Sequence, residues 1–248
     1  MLDRLMNLFH YVSEDGSFCH GGNMVTIGPK SSVAAFDVDA QNCFTPLCPA
    51  ELPVPEGHEI TDALNNQARL AQFRLGSKDA HPENAVWAAT QQRPQLSPVI
   101  GFENSDLHWN IHAVPGTYGF ELLEGLPAVT EYDFFVWKGI EPDIHPYGAC
   151  FHDHAEKRST GVVEFLESKD VKTVVVGGLA LDYCVKVTVL QLLQSGFRVI
   201  VNLAATRALS VDTGHEARKE MEAAGAVFVT NSDEIKVMDE PCPSNWSH

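Results

Sequence analysis

Cys184 is the residue of this chain best placed to act as a nucleophile. It ends the stretch Val174-Val-Val-Gly-Gly-Leu-Ala-Leu-Asp-Tyr-Cys184, in which a β-branched run passes through two glycines into a helical pattern. A thiol in the first turn of a helix faces unpaired backbone N–H groups and the positive end of the macrodipole, and both favour thiolate over thiol. The competing reading is a small apolar residue packed beneath a helix, a common use of free cysteine. Asp39 and Lys138 can supply a base and a cation at neighbouring strand ends. A thiol with an ordinary pKa near ~8.5 needs such company to ionise substantially at neutral pH. The lysine keeps the carboxylate charged, and the carboxylate takes the thiol proton and later returns it to a leaving amine. The same residues also fit an ordinary Asp–Lys ion pair beside an inert cysteine.

Asp79-Ala-His81 sets two metal-ligand types two residues apart, on one side of the chain if the segment is extended. His112, in Trp109-Asn-Ile-His112, can complete a partial shell that leaves positions for water or substrate. Asp-x-His also arises by chance, and histidine on a polar loop is commonly just solvated. His108, His145, His152 and His154 are additional candidates, each read first as a surface histidine. His20, beside two glycines, has no partner that the sequence identifies.

These residues need a scaffold that gathers them. Strand patterns run over Ser32 to Val38, briefly near Phe73 to Gly76, and over Asp133 to Trp137, Lys172 to Val176, Arg198 to Asn202 and Ala226 to Thr230. Helical spacing marks Glu59 to Leu70, Glu156 to Ser168, Tyr183 to Gln194 and Thr213 to Ala223. Near-continuous apolar strands alternating with helices imply an α/β fold, with a parallel sheet covered on both faces by right-handed crossovers. Chemistry in such sheets sits at the carboxyl ends of the strands. Asp37 and Asp39, then Asp79 and His81, Lys138 and Cys184 follow four successive strands, so one set of side chains is expected at one edge. Pro82 to Leu126 carries many Pro, Gly and Asn residues and little period, and is expected to be a functional excursion. Residues 1–31 read as an N-terminal extension, and 32–248 as one domain carrying an excursion at about 80–126.

The chain has 248 residues, 44% hydrophobic and 20% charged, enough for one large core. Asp and Glu number 33 against 17 Lys and Arg, a formal net charge of -16, so nucleic acid and anionic membranes are repelled and no such partner is expected. Small neutral or cationic substrates are favoured. Six cysteines without CxxC spacing signal neither a disulfide framework nor a zinc ribbon, and reduced thiols are expected. No apolar run reaches the ~18 residues of a membrane span, and Met1 to Val12 lacks the pattern of a signal peptide. A cytoplasmic protein is the expectation, and a homo-oligomer is compatible with it.

With these residues in place, the chain resembles the nicotinamidase/pyrazinamidase branch of the isochorismatase-like cysteine hydrolases, from Val38 to about Gly225. Val38-Asp-Ala-Gln-Asn-Cys-Phe44 is similar to V-D-x-Q-N-D-F, Leu52 to Gly57 to A-V-P-E-G, and Lys78-Asp-Ala-His-Pro82 to D-x-H-P. Trp109-Asn-Ile-His-Ala-Val is similar to W-P-x-H-C-V, Trp137-Lys-Gly precedes Tyr147 at the family's interval, and Gly178-Leu-Ala-Leu-Asp-Tyr-Cys-Val-Lys is similar to G-L-A-T-D-Y-C-V-K.

The resemblance implies a three-layer α/β/α fold on a mostly parallel, six-stranded, Rossmann-like sheet. It implies hydrolysis of nicotinamide, and of pyrazinamide, through a thioester on Cys184, with Asp39 and Lys138 completing the triad. Asp79, His81 and His112 become ligands of one divalent transition metal: zinc first, iron or manganese also fitting. Phe44, Trp109 and Tyr147 line the substrate pocket. The backbone N–H groups of Ala180 and Cys184 form an oxyanion hole, shaped by a cis peptide between Leu179 and Ala180. The chain departs from the pattern at Cys43, where the family commonly has aspartate, at Leu181, where it has threonine, and at Trp87, where some relatives carry a further metal-binding histidine. The alternatives are another small-amide hydrolase, such as an N-carbamoyl amidohydrolase, and a non-catalytic binding protein of the same fold.

Overall fold

Strands that are apolar on both faces must be covered on both faces, and the computed structural model, which describes residues 24–240, resolves that demand with three layers. In chain order the elements are β1 (Val25–Pro29), β2 (Val33–Val38), α1 (Thr61–Ala68), β3 (Phe73–Asp79), β4 (Phe134–Lys138), α2 (Val162–Ser168), β5 (Thr173–Leu179), α3 (Lys186–Gln194), β6 (Arg198–Arg207), α4 (Val211–Ala224), β7 (Val227–Val229) and β8 (Ile235–Met238). Side chains alternate across the main sheet with period two. Ala34, Phe36, Val38, Val174, Val176, Val199 and Val201 enter one core beneath Leu166, Val189, Leu192 and Met221 of the helices. Val33, Ala35, Val175 and Ile200 enter the opposite core, closed by Ala71, Ile27 and Ile235.

The sheet has six strands in the order β4-β3-β2-β5-β6-β7, every pair parallel. The chain moves outward from β2 through β3 to β4, then returns to the other side of β2 with β5. The strand order therefore reverses between β2 and β5, and a crevice opens there at the carboxyl ends. The two strands come close at that point: Gly178 has a φ of +122°, and a Cβ on it would lie 1.9 Å from the Val38 carbonyl oxygen. The residues following β2 and β5 are Asp39 and the segment leading to Cys184.

Several boundaries differ from the expectation. β3 runs on through Asp79 and β6 through Arg207. The helix expected from Glu156 begins only at Val162, because Glu156 and Gly161 both take left-handed conformations and the intervening chain turns back in a bridge between Phe151 and Ser159. The helix expected from Tyr183 is preceded by a wide π-helical turn over Leu181–Val185. Of the residues assigned to an N-terminal extension, 1–23 lie outside the described part. Val25–Pro29 forms a strand paired in parallel with β8, a short two-stranded sheet with no distinct periodicity in the sequence. Within the excursion the described chain has no helix and no strand of the main sheet before Val129. Backbone hydrogen bonds hold it instead: Asn42 N–H to Glu121 O, Cys43 N–H to Gly119 O and Trp109 N–H to Trp87 O.

Candidate active site and metal centre

Lys138, at the end of β4, is fully buried, and a buried ammonium persists only when it is paired. Its Nζ lies 2.9 Å from Asp39 Oδ2, in direct contact with Asp79 Oδ1, and 3.7 Å from Cys184 Sγ. It also donates to the Pro146 carbonyl at 3.0 Å. Asp39 takes a φ of +44°, a conformation that non-glycine residues hold only when their surroundings impose it. Its other carboxylate oxygen accepts from Ser77 Oγ at 2.7 Å. Burial pushes the Asp39 carboxyl up, Lys138 pulls it back, and it settles at about 6, ionised at neutral pH yet basic enough to take a proton. Asp79 would be raised by burial, but Lys138 and His81 hold it well below the usual carboxylate range. Lys138 itself would be lowered by burial, and the carboxylates of Asp39 and Asp79 push it well above its ordinary value.

Cys184 sits in the wide turn after β5, in van der Waals reach of this cluster. Here the expectation needs correction. Burial raises the Cys184 thiol well above its ordinary value, and Lys138 only partly opposes that. The resting group is a thiol, because desolvation of a thiolate outweighs the attraction of Lys138, and the carboxylates of Asp39 and Asp79 add to the rise.

Beside the triad lies a cluster of imidazoles. The ligand atoms of His81, His112 and His145 lie within 4.8 Å of one another, all buried. His81 Nδ1 contacts the Gly139 carbonyl at 3.0 Å and His112 Nδ1 the Asn110 carbonyl at 2.7 Å, which leaves the two Nε2 atoms facing the cluster without hydrogen-bond partners. Gly139 is required there: its φ is +74°, and a Cβ would stand 2.3 Å from the His81 ring. The two Nε2 atoms lie 3.4 Å and 3.8 Å from the Asp79 carboxylate oxygens. Both ring nitrogens of His145 are also without partners. Burial lowers His81, and burial with the neighbouring His81 and His112 lowers His145 far more, so both are neutral imidazoles, the form that binds metal. Buried nitrogens left unpaired cost about 1–3 kcal/mol each, and convergent, neutral, unpaired imidazoles beside a carboxylate fit a transition-metal ion. A second group, Asp39, Asp79 and Cys184, also has mutually close ligand atoms, but Lys138 already occupies its centre with positive charge.

A pocket runs from this cluster to Cys184. Phe44, Trp109, Tyr147, Tyr183 and Leu209 wall it, and Asp79, His112 and His145 stand on the side of the imidazole cluster. Ala180 and Cys184 both border it, and the Leu179–Ala180 peptide is cis. Trp109 Nε1 donates to Tyr147 Oη at 3.0 Å, and Tyr147 Oη donates to Asp106 at 2.8 Å, so the aromatic wall is tied together by hydrogen bonds.

The structure thus brings together Asp39, Asp79, His81, His112, Lys138 and Cys184, with Phe44, Trp109 and Tyr147 around them. Two of the four histidines read as surface residues, His108 and His145, are buried, while His152 is half-exposed and His154 exposed. His145 lies in a stretch with no periodicity, and nothing in the sequence distinguishes it from its neighbours. Asp37 does not join the site, pairing instead with Arg74 and Tyr132 beneath it. Gln41, not singled out from sequence as a site residue, is the residue that holds the site's framework. Its amide accepts from Asp79 N–H at 2.8 Å and donates to the Asp79 and Phe120 carbonyls. Cys43, Cys48 and Cys150 are free, as is Cys184.

A parallel sheet with a carboxylate, a lysine and a cysteine at its switch point defines a class of cysteine hydrolases, and the chain belongs to the isochorismatase domain family, which matches residues 34–233. Its relatives narrow the class. The chain is 33% identical over 206 residues to the nicotinamidase of Escherichia coli (strain K12), covering 79% of this chain and 93% of that protein. It is similar to a nicotinamidase/pyrazinamidase structure from Acinetobacter baumannii, with a TM-score of 0.74 and 26% identity over 82% of this chain and 98% of that one. The pyrazinamidase of Pyrococcus horikoshii, solved in complex with zinc, gives a TM-score of 0.62 and 28% identity over 80% of this chain and 98% of that one. No helix among the described residues is long and apolar enough to cross a membrane.

Proposed function

We propose that this chain is an amidohydrolase that converts nicotinamide to nicotinate and ammonia through a thioester on Cys184. The observation that carries the reading is the placement of a buried Cys184–Lys138–Asp39 cluster at one end of an aromatic pocket whose other end is lined by unpartnered imidazoles. Asp39 takes the proton of Cys184 as sulfur attacks the carboxamide carbon, and Lys138 offsets the negative charge left on sulfur. The backbone N–H groups of Ala180 and Cys184 receive the developing oxyanion. Asp39 then hands its proton to the departing nitrogen, and ammonia leaves as the C–N bond breaks. Water loses a proton to Asp39, attacks the thioester and releases nicotinate, and the sulfur recovers the proton.

Asp79, His81 and His112 would hold a divalent transition metal, zinc fitting best, which when bound supplies a Lewis acid for the pyridine nitrogen. Phe44 and Trp109 hold the ring flat against the pocket wall, so that the carboxamide meets Cys184 in a reactive orientation. The reduced thiol at the centre of the reaction suits the cytoplasm.

Ammonia release from nicotinamide, with benzamide alongside and with or without a chelator, tests the reading. Nicotinamide should be turned over far faster than benzamide, and chelation should remove most of that difference. Equal kcat/KM for the two amides would leave a general amidase. Release from N-carbamoyl amines but not nicotinamide would replace the reading with the N-carbamoyl amidohydrolase alternative, and no release from any amide would favour a binding protein.

A further inference from the structure

His145 belongs to neither the triad nor the ligand set read from sequence, yet it is the least satisfied buried polar residue in the described chain. It is 3% exposed, and both ring nitrogens lack a hydrogen-bond partner. A neutral imidazole always carries one N–H and one lone pair, so burial leaves a donor and an acceptor both unpaired. His81 and His112 each spend one nitrogen on a carbonyl and turn the other inward; His145 spends neither.

The ring is nonetheless held in place. It stacks on His81 at a centroid distance of 4.9 Å and an interplanar angle of 17°, and Trp87 packs edge-on against it at 4.5 Å. The Trp87 indole also donates to the carbonyl of Ile144, the preceding residue, at 3.3 Å. The backbone of His145 is fixed on both sides: its N–H donates to the Asn104 carbonyl at 2.7 Å, and its own carbonyl contacts His154 Nε2 at 2.9 Å. A side chain so well positioned and so poorly paired is placed for a ligand. Its ligand atom lies within 4.8 Å of those of His81 and His112. Nitrogens at ~2.1 Å from one tetrahedral ion stand about 3.4 Å apart, so side-chain shifts of roughly an ångström or less bring the three imidazoles around one ion.

We propose that His145, from the loop after β4, is a further protein ligand of the metal held by Asp79, His81 and His112, making the site three imidazoles and one carboxylate. The inference rests on the metal reading given under Proposed function and adds a ligand to it. Such a nitrogen-rich set selects zinc, cobalt, nickel or iron over magnesium and calcium. Trp87 serves as the buttress that sets the His145 ring against the other two.

The probe is Co2+, added to protein stripped by chelator, with its visible d–d absorption and its affinity as readouts; neither depends on turnover. His145→Phe keeps an aromatic ring in the stack and removes only the nitrogens. It should bind Co2+ about 10-fold or more weakly, with an altered absorption band, while His152→Ala matches the wild type. Loaded with Cu2+, the wild type should show electron-spin couplings to three imidazole nitrogens, a count that stands even if His145→Phe does not fold. Unchanged cobalt affinity and spectrum in a folded His145→Phe, or a count of two nitrogens in the wild type, would overturn the role of His145 and leave the three-ligand site intact. A wild type that binds neither Co2+ nor Cu2+ would overturn the metal reading itself.

Discussion

Lys138 holds two carboxylates and a thiol together without access to water, and that makes it the side chain most sensitive to change. Replacing it with methionine preserves volume but leaves Asp39 and Asp79 uncompensated. The Lys138→Met variant should lose about 3–5 kcal/mol of stability by urea unfolding. Its Asp39 would shift toward protonation and fail as a base, so iodoacetamide should alkylate Cys184 more slowly than in the wild type across neutral pH. Equal alkylation rates would show that the lysine does not activate the thiol. Cys184→Ala is the milder change, because it deletes one sulfur from a pocket already formed by other residues. It should melt near the wild-type temperature and bind nicotinamide, with turnover below about one-tenth of wild type. After rapid quench, intact-mass analysis of the wild type should find a nicotinoyl group on Cys184. The same adduct on Cys43 or Cys150, whose thiols burial also raises, would reassign the nucleophile.

At the scale of elements, the site depends on how closely β2 and β5 approach at their carboxyl ends. The Gly178 position faces backbone, so a methyl there cannot be relieved by rotating a side chain. Gly178→Ala should therefore give little soluble protein, or protein with a far lower Tm and no activity. Gly196 is the control: its φ is +88°, but nothing lies within 4 Å of a Cβ there. Gly196→Ala should cost only about 1–2 kcal/mol, the ordinary penalty of the left-handed region, and should keep full activity. Comparable losses in the two variants would show that close strand approach is not what positions Asp39 and Cys184. Gln41 works on the same scale, fastening the loop after β2 to the end of β3 and to the excursion at Phe120.

Across the whole molecule, the imidazole cluster links segments distant in sequence: His81 follows β3, His112 lies deep in the excursion and His145 follows β4. A metal that bridges them binds the folded chain and finds no such site in the unfolded one, so it must raise stability by mass action. Stripped protein should gain several degrees of Tm on adding zinc, and His81→Ala should gain little. An unchanged Tm in the wild type would mean that the buried nitrogens are met in some other way. The net charge of -16 acts on the same scale. It repels anions at long range and leaves the approach of neutral molecules unhindered.

The class of fold and most of the candidate site can be read from the order of residues along the chain. Uninterrupted β-branched runs mark buried parallel strands, and in a parallel sheet the polar residues just past the strands converge whatever the details of packing. Asp39, Asp79, His81, Lys138 and Cys184 were legible for that reason, since each is defined by its place relative to a local pattern. The remainder depends on contacts between segments far apart in the chain. His145 sits in an aperiodic loop, and only the fold of that loop against Trp87 and His81 makes it part of the imidazole cluster. The pairing of β1 with β8 joins opposite ends of the described chain, and neither strand announces its partner. The state of Cys184 also lay beyond the sequence: its helical turn argues for thiolate, but ionisation depends on how much water the surrounding chain removes, and burial raises this thiol well above its ordinary value.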